Sequence, residues 1–210
     1  MDATRPVDEA TAAEADRGTA LLLVDVINPL TFPQARQMEA TLRKMAKRPR
    51  AFKSLLSQQG VISACANDHY GAWCSDFRDV KERCEDLGGV SAWMAELLAP
   101  TPDDYVVLKP RHSAFFATPL ELLLTHLRCR DLIVCGLSTD MCVQMTATDA
   151  YLRGFKLWVP QDCSAAATPS LHRQALSYMA RVLHACTDAA NSAQARCLPH
   201  AEPTSNRRSP

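Results

Sequence analysis

The chain has 210 residues, which is long enough for one domain with a substantial core, and 47% of them are hydrophobic. Lysine plus arginine equals aspartate plus glutamate at 23 each, so charge gives no reason to expect binding to nucleic acid or a membrane. No apolar run approaches the roughly 20 residues that span a bilayer, and the first residues lack the apolar segment of a signal peptide. The nine cysteines are scattered without a CxxC pair, which argues against a zinc ribbon or a dense disulfide framework and favours free thiols in a reducing cytoplasm.

The first half of the chain alternates between apolar runs and helical spacing. In chain order, the pattern predicts a frayed polar tail (1–18), a strand ending in Asp25 (19–25), a helix interrupted at Pro49 (34–59) and a second strand (61–66). Gly71 and the pair Gly88–Gly89 then predict a long loop over residues 70–89, and long loops in compact domains are often functional.

The second half repeats the same alternation. It predicts a short helix (91–99), a third strand (104–110), a helix capped by Thr118 (118–129), a fourth strand (131–135), a helix that begins near Ser138, a fifth strand (155–160), a helix (168–185) and a disordered tail (189–210). Strands that alternate with helices form mainly parallel sheets with helices on both faces, so the sequence predicts one α/β domain over residues 19–188.

The segment that follows the fourth strand carries the most reactive side chain. Gly136 ends the apolar run, and Ser138, Thr139 and Asp140 are typical of helix N-caps. Cys142 is therefore expected in the first turn of a helix, just beyond the carboxyl end of a central strand, where open α/β sheets bind ligands. Backbone N–H groups at a helix start favour a thiolate and can bind an oxyanion. A small buried core cysteine is the alternative interpretation.

Two other predicted strands also end in a chemically useful residue. The first strand ends at Asp25 and the third at Lys109, and the carboxyl ends of parallel strands lie on one edge of a sheet. These residues predict nucleophilic catalysis at a carbonyl, in which Asp25 accepts the Cys142 proton, returns it to the leaving group and then activates water. Taken singly, Asp25 could cap a turn and Lys109 could be a solvated strand end.

Three motifs appear in a specific order: LLLVDVINPL around Asp25, LKPRHSAFFATPL around Lys109 and GLSTDMCVQMTATDAYLRG around Cys142. Together with VPQDCSAA at 159–166, they resemble the isochorismatase-like cysteine hydrolases, a superfamily of nicotinamidases and N-carbamoylsarcosine amidases. The resemblance covers residues 20–185. It implies a Rossmann-like three-layer α/β/α sandwich with a mainly parallel five- or six-stranded sheet, and a homo-oligomer, either a dimer or a tetramer.

The resemblance also assigns roles to individual residues. It implies a catalytic triad of Asp25, Lys109 and Cys142, and a cis peptide bond between Leu137 and Ser138. The backbone N–H groups of Ser138 and Cys142 would form the oxyanion hole. Side chains near the predicted strand ends could line the substrate pocket, with core or loop packing as the alternative: Asn67, Tyr70, Trp73, His112, Phe115 and Phe116.

The resemblance is not to the metal-binding nicotinamidases. Those members use an Asp-x-His motif, whereas Asp68 and His69 are adjacent here, and neighbours on an extended chain point to opposite sides. The segment NDHYGAWCSDF is instead similar to the NDN-x-G-x-W-x-SDF pattern of metal-free, uncharacterised bacterial members. We therefore expect no metal, no cofactor and a small-molecule substrate.

Three functions are compatible with these residues. The first is an amidohydrolase that cleaves an amide or carbamoyl C–N bond through a thioester, which retention of Cys142 favours. The second is an ether or ester hydrolase of the same fold. The third is a catalytically silent binding or redox-sensing protein, against which Asp25 and Lys109 argue because a sensor needs no proton acceptor.

Overall fold

The computed structural model describes residues 18–71 and 76–190. Six parallel strands form one sheet: β1 (Gly18–Val24), β2 (Ile62–Asp68), β3 (Tyr105–Lys109), β4 (Cys129–Leu137), β5 (Lys156–Trp158) and β6 (Ser164–Ala165). The strand order is β3-β2-β1-β4-β5, and β6 pairs with the carboxyl end of β4. The expected parallel α/β sheet is confirmed, and it has six strands.

Helices cover both faces of this sheet, as the three-layer prediction requires. They are α1 (Ala35–Gln58), α2 (Phe77–Leu87), α3 (Gly89–Leu97), α4 (Leu120–His126), α5 (Gln144–Leu152) and α6 (Pro169–Val182). A π-helical turn, Thr139–Val143, precedes α5. One core cluster contains buried residues of α4, α5 and α6, and a second contains those of α1, α2 and α3. Over the described ranges, none of the helices is both long and apolar enough to span a membrane.

The central strands are buried on both faces. Along β1, Leu22 and Val24 belong to the core on the α4–α6 side, whereas Leu21 and Leu23 belong to the core on the α1–α3 side. Successive side chains of a strand point to opposite faces, so a strand between two helical layers is apolar throughout. This explains the uninterrupted apolar runs in the sequence.

The predicted loop over residues 70–89 is wrong, because it contains α2. The carboxylate of Asp76 accepts hydrogen bonds from the backbone N–H groups of Arg78 (2.6 Å) and Asp79 (3.2 Å). Asp79 in turn accepts from the N–H of Asp76 at 3.0 Å, which completes a capping box. This pair of aspartates is the sequence signal for the helix, and the glycine-rich flanks obscure it.

The predicted interruption at Pro49 is also wrong. Helix α1 runs from Ala35 to Gln58 without a break, and Pro49 is buried inside it. The lost backbone hydrogen bond is offset by packing, since Met45, Phe52 and Leu56 bury their side chains against the sheet. Tertiary contacts here outweigh the local preference.

Among the cysteines in the described ranges, all but one are free thiols. Six buried cysteines are free: Cys65, Cys84, Cys129, Cys135, Cys142 and Cys163. Cys186 is disulfide-bonded, which departs from the expectation of free thiols. The predicted tails over 1–18 and 189–210 lie outside the described residues, apart from Gly18, Ala189 and Ala190.

A glycine sets the close approach of β1 and β4 near the end of the sheet. Gly136 has φ +128°, and it pairs in register with Val24. A Cβ added at Gly136 would lie 2.0 Å from the carbonyl oxygen of Val24. Only glycine can occupy this position without moving the strand that leads to Asp25.

We therefore expect Gly136→Ala to destabilise the protein by more than about 4 kcal/mol, because its methyl group meets backbone rather than a movable side chain. Gly154→Ala is the matched control: φ is +82° there, but nothing lies within 4 Å, so we expect a cost of about 1–2 kcal/mol. Urea denaturation measures both. Equal losses in the two variants would contradict this account.

Candidate active site

Four neighbouring strands bring their carboxyl ends to the same level. Asp68, the last residue of β2, pairs in register with Lys109, the last residue of β3. On the other side of the sheet centre, Val24 of β1 pairs with Gly136 of β4. Asp25 follows Val24 directly, so the sheet itself brings Asp25 and Lys109 close to the turn that carries Cys142.

Lys109 lies at the centre of this group. Its side chain is fully buried, and its Nζ is 2.8 Å from Asp25 Oδ2. The same Nζ donates to the carbonyl oxygen of Arg111 at 3.1 Å and to Cys142 Sγ at 3.6 Å. Asp68 Oδ2 lies 3.8 Å away. A buried ammonium requires such compensation, because burial of an unpaired charge is strongly unfavourable.

Asp25 faces both the ammonium and the thiol. Its Oδ1 accepts the backbone N–H of Asp68 at 2.7 Å, and its carboxyl group is also hydrogen-bonded to Cys142. Burial raises the pKa of Asp25, and the charge of Lys109 opposes that rise. The carboxylate consequently binds a proton more readily than an exposed aspartate would, as a base in this position must.

The Cys142 thiol is buried and protonated at neutral pH. Burial raises its pKa to about 12, the negative charge of Asp25 adds to the rise, and Lys109 opposes it. The N–H groups at the start of the turn favour a thiolate, but they do not determine the pKa of Cys142 here. Because sulfur is enclosed by protein rather than water, desolvation outweighs the favourable N–H groups of the turn.

The turn that carries Cys142 is irregular. The Leu137–Ser138 peptide bond is cis, and the carbonyl oxygen of Ser138 accepts the N–H groups of Met141 (3.0 Å) and Val143 (3.1 Å). Thr139 is fully buried, and its Oγ1 is 2.8 Å from Nδ1 of His172 on α6. Packing on α6 therefore fixes the start of the turn, a contact that the sequence did not reveal.

His112 contacts the sulfur from an exposed loop position. Its Nδ1 is 3.4 Å from Cys142 Sγ, and the residue is exposed. The segment that carries it is held on α5, because Thr146 Oγ1 accepts the Ala114 N–H at 3.0 Å. Ser113 also donates a hydrogen bond to the Asp149 carboxylate.

Comparison with known proteins identifies the family of the chain. The model of the isochorismatase domain matches residues 19–191. The chain belongs to the isochorismatase family. It is 34% identical over 173 residues to the uncharacterised isochorismatase family protein YaaI of Bacillus subtilis, an alignment that covers 82% of this chain and 93% of YaaI.

Other relatives of this isochorismatase-family chain include proteins named as amidohydrolases. The ureidoacrylate amidohydrolase RutB of Cronobacter sakazakii is 34% identical over 100 residues, which cover 44% of this chain and 43% of RutB. Among solved structures, the nicotinamidase/pyrazinamidase PncA of Bacillus subtilis is 27% identical with a TM-score of 0.59, covering 81% of this chain and 99% of PncA.

The expected pocket residues have different environments. Asn67 is fully buried and donates to the Ile27 carbonyl oxygen, and Phe115 lies in the core with its ring centroid 5.8 Å from that of Phe155. Phe115 is thus packed in the core, whereas the buried Asn67 Oδ1 has no hydrogen-bond partner among the described residues. Tyr70 is half-buried, with its hydroxyl 3.4 Å from the same Ile27 oxygen, whereas Phe116 is 56% exposed. Trp73 lies outside the described residues.

The two residues considered as metal ligands have other partners. Asp68 Oδ1 accepts the Tyr70 N–H at 2.6 Å, and its Oδ2 faces Lys109. His69 Nδ1 accepts the Gly71 N–H at 2.9 Å. Within residues 18–71 and 76–190, no group of three or more His, Cys, Asp and Glu side chains is arranged to hold a metal ion. The donor set does not fit a catalytic metal.

Two open cavities, of about 630 and 530 Å³, are not lined by Asp25, Lys109 or Cys142. The larger lies beside the start of β2, at the opposite end of that strand from Asp68. The smaller is lined by α1, the β6 segment and His172. The candidate site is therefore identified by its chemistry and not by cavity size.

Asp25 raises the pKa of Cys142 and Lys109 lowers it, so substitutions should separate the two effects. Asp25→Asn removes a negative charge, so we expect the pKa of Cys142 to fall below about 12; Lys109→Met removes the cation, so we expect it to rise further. The rate of Cys142 alkylation by iodoacetamide at one fixed pH, quantified by peptide mass spectrometry, tests both directions: it should rise in Asp25→Asn and fall in Lys109→Met. Shifts in the same direction would contradict the assignment.

Metal removal gives an independent test of the donor set. Because Asp68 and His69 already have protein partners, we expect dialysis against EDTA to leave hydrolytic activity unchanged. Elemental analysis of the purified protein should find well under one zinc or iron per chain. A stoichiometric metal whose removal abolishes activity would refute this interpretation.

Proposed function

We propose that this isochorismatase-family protein is a cysteine hydrolase that cleaves a C–N bond of a small molecule, with Cys142 as nucleophile and Asp25 and Lys109 completing a triad. The observation that carries the proposal is that the buried Lys109 Nζ contacts both the Asp25 carboxylate and the Cys142 sulfur. A base, a cation and a thiol in mutual contact form the arrangement that nucleophilic catalysis needs.

Acylation begins from a protonated thiol. When a carbonyl compound binds beside the sulfur, the Cys142 proton moves to Asp25, and the sulfur attacks the carbonyl carbon. The raised pKa of Asp25 supports this transfer, because it brings the carboxylate closer in proton affinity to its neighbours. Lys109 offsets the negative charge that then develops on sulfur, since its ammonium is already in contact.

The tetrahedral intermediate carries a negative oxygen, which we assign to the backbone N–H groups of Ser138 and Cys142. Both residues belong to the turn that begins at the end of β4, where unpaired N–H groups of a helix start can face a ligand. Asp25 then gives its proton to the leaving nitrogen, the C–N bond breaks, and a thioester remains on Cys142. Water hydrolyses that thioester to release the acid.

The substrate class follows from the acyl chemistry and the relatives. A thioester mechanism suits an amide or a carbamoyl group, and the relatives include a ureidoacrylate amidohydrolase and a nicotinamidase/pyrazinamidase. We therefore assign a small, planar or carbamoyl-bearing substrate. Tyr70, His112 and Phe116 are the candidate contacts, because they lie on the segments that follow the carboxyl ends of β2 and β3.

The alternative functions make different demands on the same residues. An ether or ester hydrolase would release no ammonia. A silent thiol sensor would need an oxidisable thiolate, and the raised pKa of Cys142 disfavours that form. The protonated thiol together with its adjacent base therefore favours hydrolysis over sensing.

Cys142→Ala should abolish turnover while leaving the melting temperature within a few degrees, because only a small, mostly buried sulfur is removed. Cys129→Ala is the matched control, since Cys129 is another free, buried cysteine, at the opposite end of β4. It should retain activity. Ammonia release from a panel of amides and carbamoyl compounds is the assay, and normal turnover by Cys142→Ala would reject the mechanism.

A further inference from the structure

We propose that His112 is a second catalytic base, which activates the water that hydrolyses the thioester on Cys142. The inference rests on the proposed cysteine acylation and divides the reaction into two halves with different proton acceptors. Asp25 serves the attack by sulfur, and His112 serves the attack by water. The observations that carry it are the contact of His112 with the Cys142 sulfur and the exposure of His112.

The imidazole and the carboxylate reach the sulfur from different environments. His112 Nδ1 is 3.4 Å from Cys142 Sγ, and the residue is exposed. Asp25 is only 4% exposed, and Cys142 is 9% exposed. The imidazole is therefore the more solvent-accessible of these two groups beside the sulfur. A thioester carbon bonded to that sulfur would be within reach of a single water held by the imidazole.

Asp25 is less accessible than His112 for this second step, because it is buried. Oδ2 forms the 2.8 Å ion pair with Lys109, and Oδ1 accepts the Asp68 N–H at 2.7 Å. An incoming water would have to enter this buried environment to reach Asp25. His112 is exposed, and in the tautomer protonated at Nε2 its Nδ1 accepts a proton directly.

Hydrogen bonds on both sides of His112 fix the segment that carries it. Lys109 Nζ donates to the carbonyl oxygen of Arg111, the residue before His112. On the other side, Ser113 donates to Asp149 and the Ala114 N–H donates to Thr146, both on α5. The exposed imidazole is therefore fixed on both sides by buried or half-buried hydrogen bonds, as a positioned catalytic group requires.

In this step His112 takes a proton from water, and the hydroxide oxygen bonds to the thioester carbonyl carbon. The tetrahedral intermediate collapses with cleavage of the C–S bond, and the imidazolium returns its proton to the departing sulfur. The products are a free carboxylic acid and the Cys142 thiol, with His112 neutral again, so no further reactant is required.

The test uses p-nitrophenyl acetate as an acyl donor, since its leaving group needs no proton. The full-length protein should release one equivalent of p-nitrophenol per site in a burst, followed by slower steady-state turnover. In His112→Asn and His112→Gln, we expect the burst rate constant to change by less than about threefold and the steady-state rate to fall about 100-fold. Intact-mass spectrometry should then show acetylated protein accumulating.

Matched variants separate this proposal from the one on which it rests. His126→Asn changes an exposed histidine on α4 and should behave as wild type. Cys142→Ala should show neither burst nor acetylated protein. A wild-type steady-state rate in both His112 variants, with a normal burst, would overturn the role of His112 and leave Cys142 as nucleophile. Loss of the burst in them would also overturn it, by placing His112 in acylation, and absence of a Cys142-dependent burst would overturn both proposals.

Discussion

The contact between the Lys109 ammonium and the Asp25 carboxylate is the interaction on which the candidate site depends. Both side chains are almost completely buried, and removal of one partner from a buried pair costs about 3–5 kcal/mol. Each charge is thus held in place by the other. Because the same ammonium also contacts the Cys142 sulfur and the Arg111 carbonyl oxygen, this pair holds Cys142 and the segment before His112 together.

The sheet supplies the precision of that contact. Asp25 and Lys109 come from strands separated by β2, and the two strand pairings place their ends at one level. The third member of the site comes from beyond β4, which is held against β1 by the close approach at Gly136. Backbone pairing, rather than side-chain flexibility, therefore determines where the reactive atoms meet.

Much of this arrangement could be predicted from the sequence, because the ends of the strands are marked by a change from apolar to polar residues. Two apolar runs stop at Asp25 and Lys109, and a third leads into the turn with Cys142. In a parallel sheet the carboxyl ends of these strands lie at one edge, so the three residues are expected there. What could not be predicted depends on burial. The raised pKa of Cys142 arises from desolvation, the unbroken helix through Pro49 arises from packing, and the contact of His112 with sulfur arises from a loop held on α5. No local sequence pattern predicts any of these three features. Helix α2 did have one, in its two capping aspartates, and was missed.

The high pKa of Cys142 also bears on its reactivity towards electrophiles and peroxides. Oxidants attack thiolates far faster than thiols, so a sulfur that keeps its proton at rest is a poor target for them. In the proposed reaction, the proton leaves when a carbonyl compound is bound beside the sulfur. Enclosure of the sulfur by protein thus lowers its reactivity towards oxidants and leaves it to react with a bound substrate.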